Sequence, residues 1–315
     1  MTSLIGQVKN GNYIMQLWDN GTKVRYNSLD YFEPSNIESM DLKITNKCYG
    51  NGNGLCPMCH ECSSPEGKHG DILNLPFLDT LLPYTEIAIG GGNTLLHPDL
   101  IPFLKGLKER KLIANMTVNQ WTFMHSIDYL KNLVGAGLIY GLGVSLTDAT
   151  DEFIEAVKEF PNAVIHVING IVTMKQLEKL ANNGLKVLIL GYKEFGRGKQ
   201  YYASVNGSFS EVNGSKSSVN GKIEALKSQF YDMLPEIVNG GWFKCVSFDN
   251  LAIKQLNPKR LMSEDEFSEF FMGSDGEYTM YVDAVNREYA VSSTSVERWS
   301  ITDDIKEMFE RVKEG

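Results

Sequence analysis

Residues 41–62 have the sequence DLKITNKCYGNGNGLCPMCHEC, and the organisation of the chain follows outward from this stretch. A short apolar segment, Leu42 to Thr45, has the pattern of a β-strand and leads directly into a loop that carries four of the five cysteines. Thiolates are soft ligands, and four of them within 15 residues suit zinc or an iron–sulfur cluster. The loop has the backbone freedom to wrap around an inorganic centre because it contains three glycines: Gly50, Gly52 and Gly54.

Two other uses of clustered cysteines stay open at this point. A structural zinc site takes four ligands, and the loop offers Cys48, Cys56, Cys59 and Cys62, with His60 as a substitute for one of them. A disulfide is less favoured, because the opening residues lack a signal-peptide pattern and the thiols of a cytosolic protein stay reduced. The rest of the sequence has to decide between zinc and iron–sulfur.

Composition and charge set the class of protein. The 315 residues are 43% apolar, which suffices for one large α/β domain or two modest ones. No apolar run approaches the roughly 20 residues that span a bilayer, so we expect a cytoplasmic protein without a membrane segment. A net charge of −9 argues against sequence-independent binding of nucleic acid, which needs a basic face, although an acidic total is compatible with a local basic patch.

Residues 1–40 predict a small antiparallel appendage. Three short runs are rich in β-forming residues: 4–8, 13–18 and 23–26. Between them stand Asn10-Gly11-Asn12 and Asp19-Asn20-Gly21, which are hairpin turn signals. We therefore expect N-terminal β-hairpins ahead of the main domain.

Strand-like and helix-like segments alternate through residues 41–255. Six short apolar runs predict strands: 42–45, 86–90, 114–118, 142–146, 163–168 and 185–190. Amphipathic stretches between the later runs predict helices: 98–111, 126–134, 150–159 and 174–182. This alternation is typical of βαβ units on a parallel sheet, and a repeat of one strand plus one helix builds (β/α) barrels. The predicted fold class is α/β, a partial (β/α)6-type TIM barrel.

The remaining segments are predicted as additions to this core. Residues 203–221, rich in Ser, Asn and Gly, interrupt the alternation and predict an excursion or a hairpin over the barrel mouth. A helix at 222–238 and a further strand at 245–253 are predicted to follow. Residues 256–315 are expected to form a C-terminal extension. It would contain a short helix after the capping box of Ser263 and Glu266, a hairpin and a last helix: 278–282 with 288–292, then 303–313.

The ends of the predicted strands indicate where the chemistry lies. In (β/α) barrels the active site is built at the C-terminal ends of the strands. Six residues with catalytic or binding potential fall at these ends: Cys48, Gly91, Asn119, Ser145, Asn169 and Lys193. We expect them to face one common mouth.

The cysteine loop, together with the sequence IGGGN at residues 89–93 after the second strand, resembles the radical S-adenosylmethionine (SAM) enzymes. That family usually carries a CX3CX2C triplet with an apolar or aromatic residue before the last cysteine. Met58 fits that position between Cys56 and Cys59, whereas seven residues rather than three separate Cys48 from Cys56. The variant CX7CX2C triplet is preferred over the one that ends at Cys62, which lacks both the apolar residue and the strand-end position.

The resemblance implies a chemistry. Cys48, Cys56 and Cys59 would hold a [4Fe–4S] cluster and leave one iron open for the amino and carboxylate groups of SAM. An electron from a donor such as flavodoxin or ferredoxin would then cleave SAM to a 5′-deoxyadenosyl radical, which abstracts hydrogen from the substrate. The sequence does not identify that substrate, which is a small molecule, a nucleotide or a peptide. Cys62 would not bind iron, because a fourth ligand closes the site.

The resemblance also implies contacts to SAM. Gly90, Gly91 and Gly92 match the glycine-rich turn that receives the methionyl amino group, with Asn93 where the family often has Glu. The remaining candidates are polar or glycine residues near strand ends, for ribose, carboxylate, adenine or phosphate: Asn119, Ser145, Asn169, Gly170, Lys193 and Arg197. For several of them a turn or capping role is an equal alternative. His60 and Glu61 are candidates for contacts around the cluster.

A second function class stays open beside the radical enzyme. A zinc-stabilised α/β barrel could act as a binding module without radical chemistry. The two are separated by colour, because an anaerobic preparation of an iron–sulfur protein is brown and a zinc protein is colourless.

Overall fold

The structure is a computed structural model that describes residues 2–29, 31–206 and 221–315. Its N-terminal part is a three-stranded antiparallel sheet of β1 (Leu4–Asn10), β2 (Tyr13–Trp18) and β3 (Lys23–Tyr26) in that order. The β1–β2 turn is tight, and Gly11 takes up the positive φ of 58° that such a turn requires. The prediction of N-terminal hairpins is confirmed.

A larger sheet of ten strands follows in the described chain. Its members are β4 (Ser39–Thr45), β5 (Glu86–Gly91), β6 (Ile113–Asn119), β7 (Gly141–Ser145), β8 (Ala163–Ile168), β9 (Lys186–Leu190), β10 (Cys245–Phe248), β11 (Thr279–Asp283), β12 (Glu288–Ala290) and β13 (Trp299–Ser300). The spatial order is β10-β9-β8-β7-β6-β5-β4-β11-β12-β13. Pairing is parallel from β10 to β11 and antiparallel from β11 to β13. The mostly parallel α/β sheet agrees with the predicted alternation.

Ten α-helices connect or flank these strands in the described residues. They are α1 (Leu100–Glu109), α2 (Gln120–Met124), α3 (Ile127–Gly135), α4 (Asp151–Lys158), α5 (Met174–Leu180), α6 (Arg197–Asn206), α7 (Lys222–Asn239), α8 (Asn250–Leu256), α9 (Glu264–Phe270) and α10 (Ile305–Glu314). Short 3-10 helices cover Pro76–Thr80, Thr94–Leu96 and Pro258–Leu261. Within the ranges described, none of the helices has both the length and the apolarity to span a bilayer.

Alternation along the strands separates a core face from a second face. In β8, Ala163, Ile165 and Val167 are buried in the main hydrophobic core, and the residues between them are only partly buried. The same period of two recurs in β6, β7 and β9. The second face carries small and polar residues on β6 and β7, which leaves room for a ligand, and it is mostly apolar on β8 and β9.

The sheet is open but strongly curved. No ladder joins β10 to β13 in the part of the chain that the structure describes, so no closed barrel is formed. Even so, Lys193 Nζ, after β9, donates to Ser293 Oγ, after β12, at 2.8 Å. In a flat sheet the seven strand spacings between β9 and β12 would amount to about 34 Å. The sheet must therefore bend to bring its two ends together.

Several features differ from the sequence expectations. Helix α2 was not predicted, and α6 occupies residues 197–206, where a loop and the start of the excursion were expected. The rest of that excursion, 207–220, lies outside the described residues. The strand predicted over 245–253 ends at Phe248, and α8 occupies its second half. The predicted hairpin of β11 and β12 is present, but β11 also pairs in parallel with β4, from Thr279 opposite Ser39 to Asp283 opposite Lys43. The hairpin thus extends the main sheet.

Candidate functional site

A cavity of about 440 Å³ borders the second face of the large sheet. Residues from β4 to β9 and from β11 line it, and the cysteine loop contributes at the C-terminal side of β4. The strands supply small or polar groups to its wall: Ala88, Gly90, Thr117, Asn119, Ser145 and His166. The C-terminal ends of these parallel strands thus meet in one concave site, as expected for this architecture.

Three of the four clustered cysteines face this cavity. Cys48, Cys56 and Cys59 are half-buried and line it, whereas Cys62 is exposed and does not. Burial raises the pKa of the Cys56 thiol, and the neighbouring thiols of Cys59 and Cys48 raise it further, against the opposing charge of Arg197. The three thiols are therefore close enough to influence one another. In the described residues no three side chains of His, Cys, Asp or Glu converge on a single metal-ion position.

The long spacing between Cys48 and Cys56 is taken up by a turn that folds back on itself. The Asn51 amide donates to the Gly54 carbonyl at 3.1 Å, and the Gly50 amide donates to Cys48 Sγ at 3.3 Å. Gly50 has a positive φ of 86°, and a Cβ there would lie 1.9 Å from the Gly54 oxygen. Only glycine fits this turn. The extra residues thus leave Cys48 and Cys56 on the same cavity.

Arg197, the first residue of α6, holds the cysteine loop. Its Nε donates to the Cys56 carbonyl at 3.2 Å, its Nη2 to the Ser63 carbonyl at 2.9 Å, and its amide to the Cys59 carbonyl at 3.1 Å. The Cys56 and Cys59 carbonyls also accept from the Cys59 and Cys62 amides, so Arg197 adds a second bond to each and engages the Ser63 carbonyl. Arg197 also lines the cavity, as the sequence predicted for it.

A buried ion-pair network holds the same part of the loop through Glu61. Lys43 Nζ lies 2.7 Å from Glu61 Oε2 and 3.0 Å from Asp283 Oδ2. The Tyr281 hydroxyl donates to Glu61 Oε1 at 3.2 Å, and His60 Nε2 lies 3.3 Å from the same oxygen. Burial alone would raise the pKa of Glu61, but His60 and Lys43 outweigh it and hold that pKa at about 2. A permanent charge pair therefore ties the loop to β4 and β11.

The glycine turn after β5 packs directly against the backbone that leads to Cys48. The Gly92 amide donates to the Thr45 carbonyl at 2.7 Å, and the Asn93 amide donates to the Lys47 carbonyl at 2.8 Å. A Cβ at Gly91 or Gly92 would lie 2.3 Å from the Thr45 or the Lys47 carbonyl oxygen, respectively. The turn and the cysteine loop are thus one packed unit, and all three glycines, Gly90 to Gly92, line the cavity.

Asparagine side chains in the predicted set make bonds within the protein. Asn93 accepts from the Leu95 amide and donates to Thr122, both at 3.1 Å, and it does not line the cavity. Asn119 lines the cavity, caps α2 and donates to the Gly50 carbonyl at 3.1 Å. Asn169 is buried and donates to Gln255 at 3.1 Å, away from the cavity lining.

The other predicted residues divide in the same way. Ser145 and Lys193 line the cavity. Gly170 does not line it; it has a positive φ of 88°, and a Cβ there would meet the Ile223 side chain of α7 at 2.7 Å. The structure therefore brings together the cysteines, the three glycines, Asn119, Ser145, Lys193 and Arg197, but not Asn93, Asn169 or Gly170.

Several cavity residues were missing from the sequence predictions: Asp41, Lys43, Thr117, His166, Tyr281 and Ser293. Three of them carried a usable signal. Asp41, Lys43 and His166 are ionisable residues that alternate with apolar core residues along β4 and β8. Burial lowers the pKa of His166 to about 4, so the imidazole is neutral near pH 7. The others could not be found, because no local pattern reports pairing between distant segments.

Comparison with known proteins gives a structural match. No protein-family model and no curated protein matches the sequence. SuiB of Streptococcus suis bound to the precursor peptide SuiA has a similar structure: the TM-score is 0.54, the identity is 13%, and the match covers 90% of this chain and 67% of SuiB. SuiB bound to S-adenosylmethionine gives a TM-score of 0.49 at 14% identity, over 88% of this chain and 64% of SuiB. The chain thus spans about two thirds of SuiB, and at this identity the similarity concerns the fold.

Proposed function

We propose that the protein is a radical SAM enzyme. Cys48, Cys56 and Cys59 would hold a [4Fe–4S] cluster, and the cavity would hold SAM beside a substrate. The observation that carries this proposal is the selective placement of thiols: three of the four clustered cysteines line the cavity that the glycine turn also lines. Three thiolates and an open fourth position are what a SAM-binding cluster requires.

The residues around the thiols fit such a group. Arg197 and the Lys43–Glu61 pair anchor the C-terminal half of the loop, so its backbone is held where the three thiols face the cavity. The Gly50 amide directed at Cys48 Sγ is a hydrogen bond of the kind that tunes thiolate ligands. When bound, the cluster would supply the electron that cleaves SAM.

The remaining cavity residues would bind and orient. The turn of Gly90 to Gly92 offers bare backbone next to the thiols, where a side chain would obstruct a ligand. Ser145 and the neutral His166 offer uncharged hydrogen-bonding groups on β7 and β8. Lys193 offers a cation for a carboxylate or a phosphate. The curved sheet would then be a partial barrel of the TIM type, with the reaction at its C-terminal mouth.

The fold match adds support at a coarser level. The similar SuiB structures hold S-adenosylmethionine in one case and a precursor peptide in another. A peptide is therefore a candidate substrate here, beside small molecules and nucleotides. The electron donor would be a small redox protein such as a flavodoxin or a ferredoxin.

Cysteine variants test the proposal through their iron content. After anaerobic purification, Cys48→Ala, Cys56→Ala and Cys59→Ala should each lose the iron and the acid-labile sulfide of the wild-type protein. Cys62→Ala and Cys245→Ala serve as matched controls and should retain both. Loss of iron in Cys62→Ala alone would contradict the ligand assignment, and a wild-type protein that holds zinc and no iron would contradict the function.

A further inference from the structure

Asp41 is a carboxylate on the cavity wall that the proposed chemistry does not use. It is the third residue of β4, on the same side of the strand as Lys43, and it lines the cavity. It precedes Thr45 at the strand end by four residues, or about 13 Å of extended chain. Its neighbours in the sheet are Ala88 on β5 and Tyr281 on β11. The carboxylate thus lies below the level of the cysteine loop and the glycine turn.

The charged groups around Asp41 have other direct partners. Glu61, the other carboxylate on the cavity wall, is paired with Lys43, and Lys43 also binds Asp283. Arg197 donates to backbone carbonyls, and Lys193 donates to the neutral Ser293 hydroxyl, so that only the unneutralised charge of Lys193 acts on Asp41, without a direct bond. Across the described ranges, no hydrogen bond or ion pair reaches the Asp41 side chain itself.

The Asp41 side chain is open to the cavity. Partial desolvation by the surrounding strands raises the pKa of Asp41, the charge of Lys193 opposes the rise, and the acidic groups Asp275, Asp249 and Glu61 add to it. A free carboxylate that faces a cavity can form a charge-assisted hydrogen bond with a cationic group that enters there. The cavity therefore offers a position for a positive charge at Asp41.

Charged side chains are unevenly distributed over the cavity wall. Asp41, Lys43, Glu61 and Lys193 lie on one side, formed by β4, the cysteine loop and the segment after β9. On the other side, burial alone shifts the pKa of His166, and no charged group contributes. The neutral side suits an uncharged part of a ligand, and the charged side suits a charged one.

We propose that Asp41 binds a cationic nitrogen of the substrate, so that the substrates of this enzyme carry an ammonium or a guanidinium group. Bound to Asp41, that group would form a charge-assisted hydrogen bond inside the cavity. The proposal rests on the proposed radical SAM function. It deepens that function by naming the chemical class of the substrate, whether a small amine or a basic side chain of a peptide.

Cation binding by the iron-loaded, SAM-saturated protein tests this proposal. The probes are butylammonium and butylguanidinium, with butanol and butyrate as uncharged and anionic controls. N-acetylarginine amide represents a blocked, peptide-like source of the same group. Saturation-transfer NMR titrations should show that the cations bind at least about tenfold more tightly than butanol, as a charge-assisted bond predicts. Preference for the blocked amide over butylguanidinium would indicate a peptide source, and the reverse a small amine.

Variants locate the binding at Asp41. Asp41→Asn should lose the preference for cations, Asp41→Glu should restore part of it, and Asp232→Asn, which removes an equal charge from the exposed face of α7, should leave it unchanged. In the wild-type protein, where folding is not in question, cation binding should weaken as the pH falls and Asp41 becomes protonated.

The outcomes separate this proposal from the proposed function. Iron content and the SAM-induced change in the EPR spectrum should be the same in Asp41→Asn and in the wild type. If both are normal and the cation preference survives in Asp41→Asn, the substrate inference is wrong and the radical function stands. A loss of SAM binding in Asp41→Asn would assign Asp41 to SAM and overturn the inference. A wild-type protein without iron would overturn the function, and the same cation titrations of the protein as purified would then decide whether Asp41 binds a cation.

Discussion

His166 is an ionisable residue of the cavity wall that burial keeps neutral near pH 7. It lies within the apolar run AVIHVI of β8, between core residues Ile165 and Val167, and it faces the cavity beside Thr117 and Gly143. Burial lowers its pKa to about 4. The folded protein therefore excludes the protonated form across most of the acidic range, where the unfolded chain binds a proton.

We expect the free energy of unfolding to contain a contribution from His166 that decreases as the pH is lowered. In the unfolded chain the imidazole titrates near pH 6.5, so this contribution should decline from about pH 6.5 to about pH 4 and then level off. The full decline would be of the order of 3 kcal/mol. Urea unfolding at several pH values should show this decline in the wild type and a smaller one in His166→Gln.

His125→Gln provides the matched control, because His125 is exposed at the end of α2. This variant should keep the pH dependence of the wild-type protein. An unchanged pH dependence in His166→Gln would show that the imidazole is not held neutral by burial.

At the scale of elements, the site depends on close contact between the glycine turn and the cysteine loop. Gly92 cannot carry a side chain without pushing on the Lys47 carbonyl, one residue before Cys48. Gly90, two residues earlier in the same turn, has no neighbouring atom within 4 Å of the Cβ position. The two glycines thus differ in packing while sharing the cavity.

Gly92→Ala should therefore destabilise the protein by about 1–3 kcal/mol, the usual cost of inserting a methyl group into a packed site. It should also lower the iron content, since the displaced backbone leads into Cys48. Gly90→Ala should change the free energy of unfolding by less than about 0.5 kcal/mol. Denaturant unfolding and iron analysis measure both quantities. Equal losses in the two variants would contradict the packing described for Gly92.

The elements that the sequence predicted are those with a local signal. Strands β4 to β9 were found because each is an apolar run bounded by turns, and Ser263 with Glu266 forms the expected capping box. Helix α2 is five residues long, too short for a helical period to be visible. Helix α6 begins with RGKQ and carries few apolar residues, so it has no amphipathic pattern.

Contacts between distant segments had no such signal. The pairing of β11 with β4 joins residues about 240 positions apart, and neither strand reveals its partner. The Lys43–Glu61–Asp283 network could not be predicted for the same reason, because only folding brings these three residues together. The cysteines were predictable because their spacing is local, whereas the polar residues that surround them in the cavity were not.

At the scale of the whole molecule, a buried ion pair joins the N-terminal sheet to the main sheet. Glu38, just before β4, is 1% exposed. It accepts bonds from Arg25 Nε at 2.7 Å, Arg25 Nη2 at 3.0 Å and the Tyr13 hydroxyl at 2.6 Å. The guanidinium also stacks on the Tyr278 ring at 3.6 Å. The small sheet is thus fastened to the start of the strand that leads into the cysteine loop.

Arg25→Met should lower the free energy of unfolding by about 3 kcal/mol, because it leaves the Glu38 carboxylate buried without its main partner. The value lies at the low end for a buried pair, since Lys23 remains 3.7 Å from Glu38. The double variant Arg25→Met with Glu38→Gln should recover part of the loss. Arg110→Met breaks the exposed pair with Asp79 and should cost less than about 1 kcal/mol. Denaturant unfolding measures these free energies. An equal loss of unfolding free energy in Arg25→Met and Arg110→Met would contradict a stabilising role of the buried Arg25–Glu38 pair.

EPR spectroscopy of the reduced, anaerobically purified protein, recorded with and without SAM, tests most directly whether Cys48, Cys56 and Cys59 support a cluster with an open iron. We predict a [4Fe–4S] signal that changes when SAM is added, because SAM would bind the iron that has no cysteine ligand. A protein that contains one zinc and no iron, or a cluster signal that SAM leaves unchanged, would contradict the proposed function.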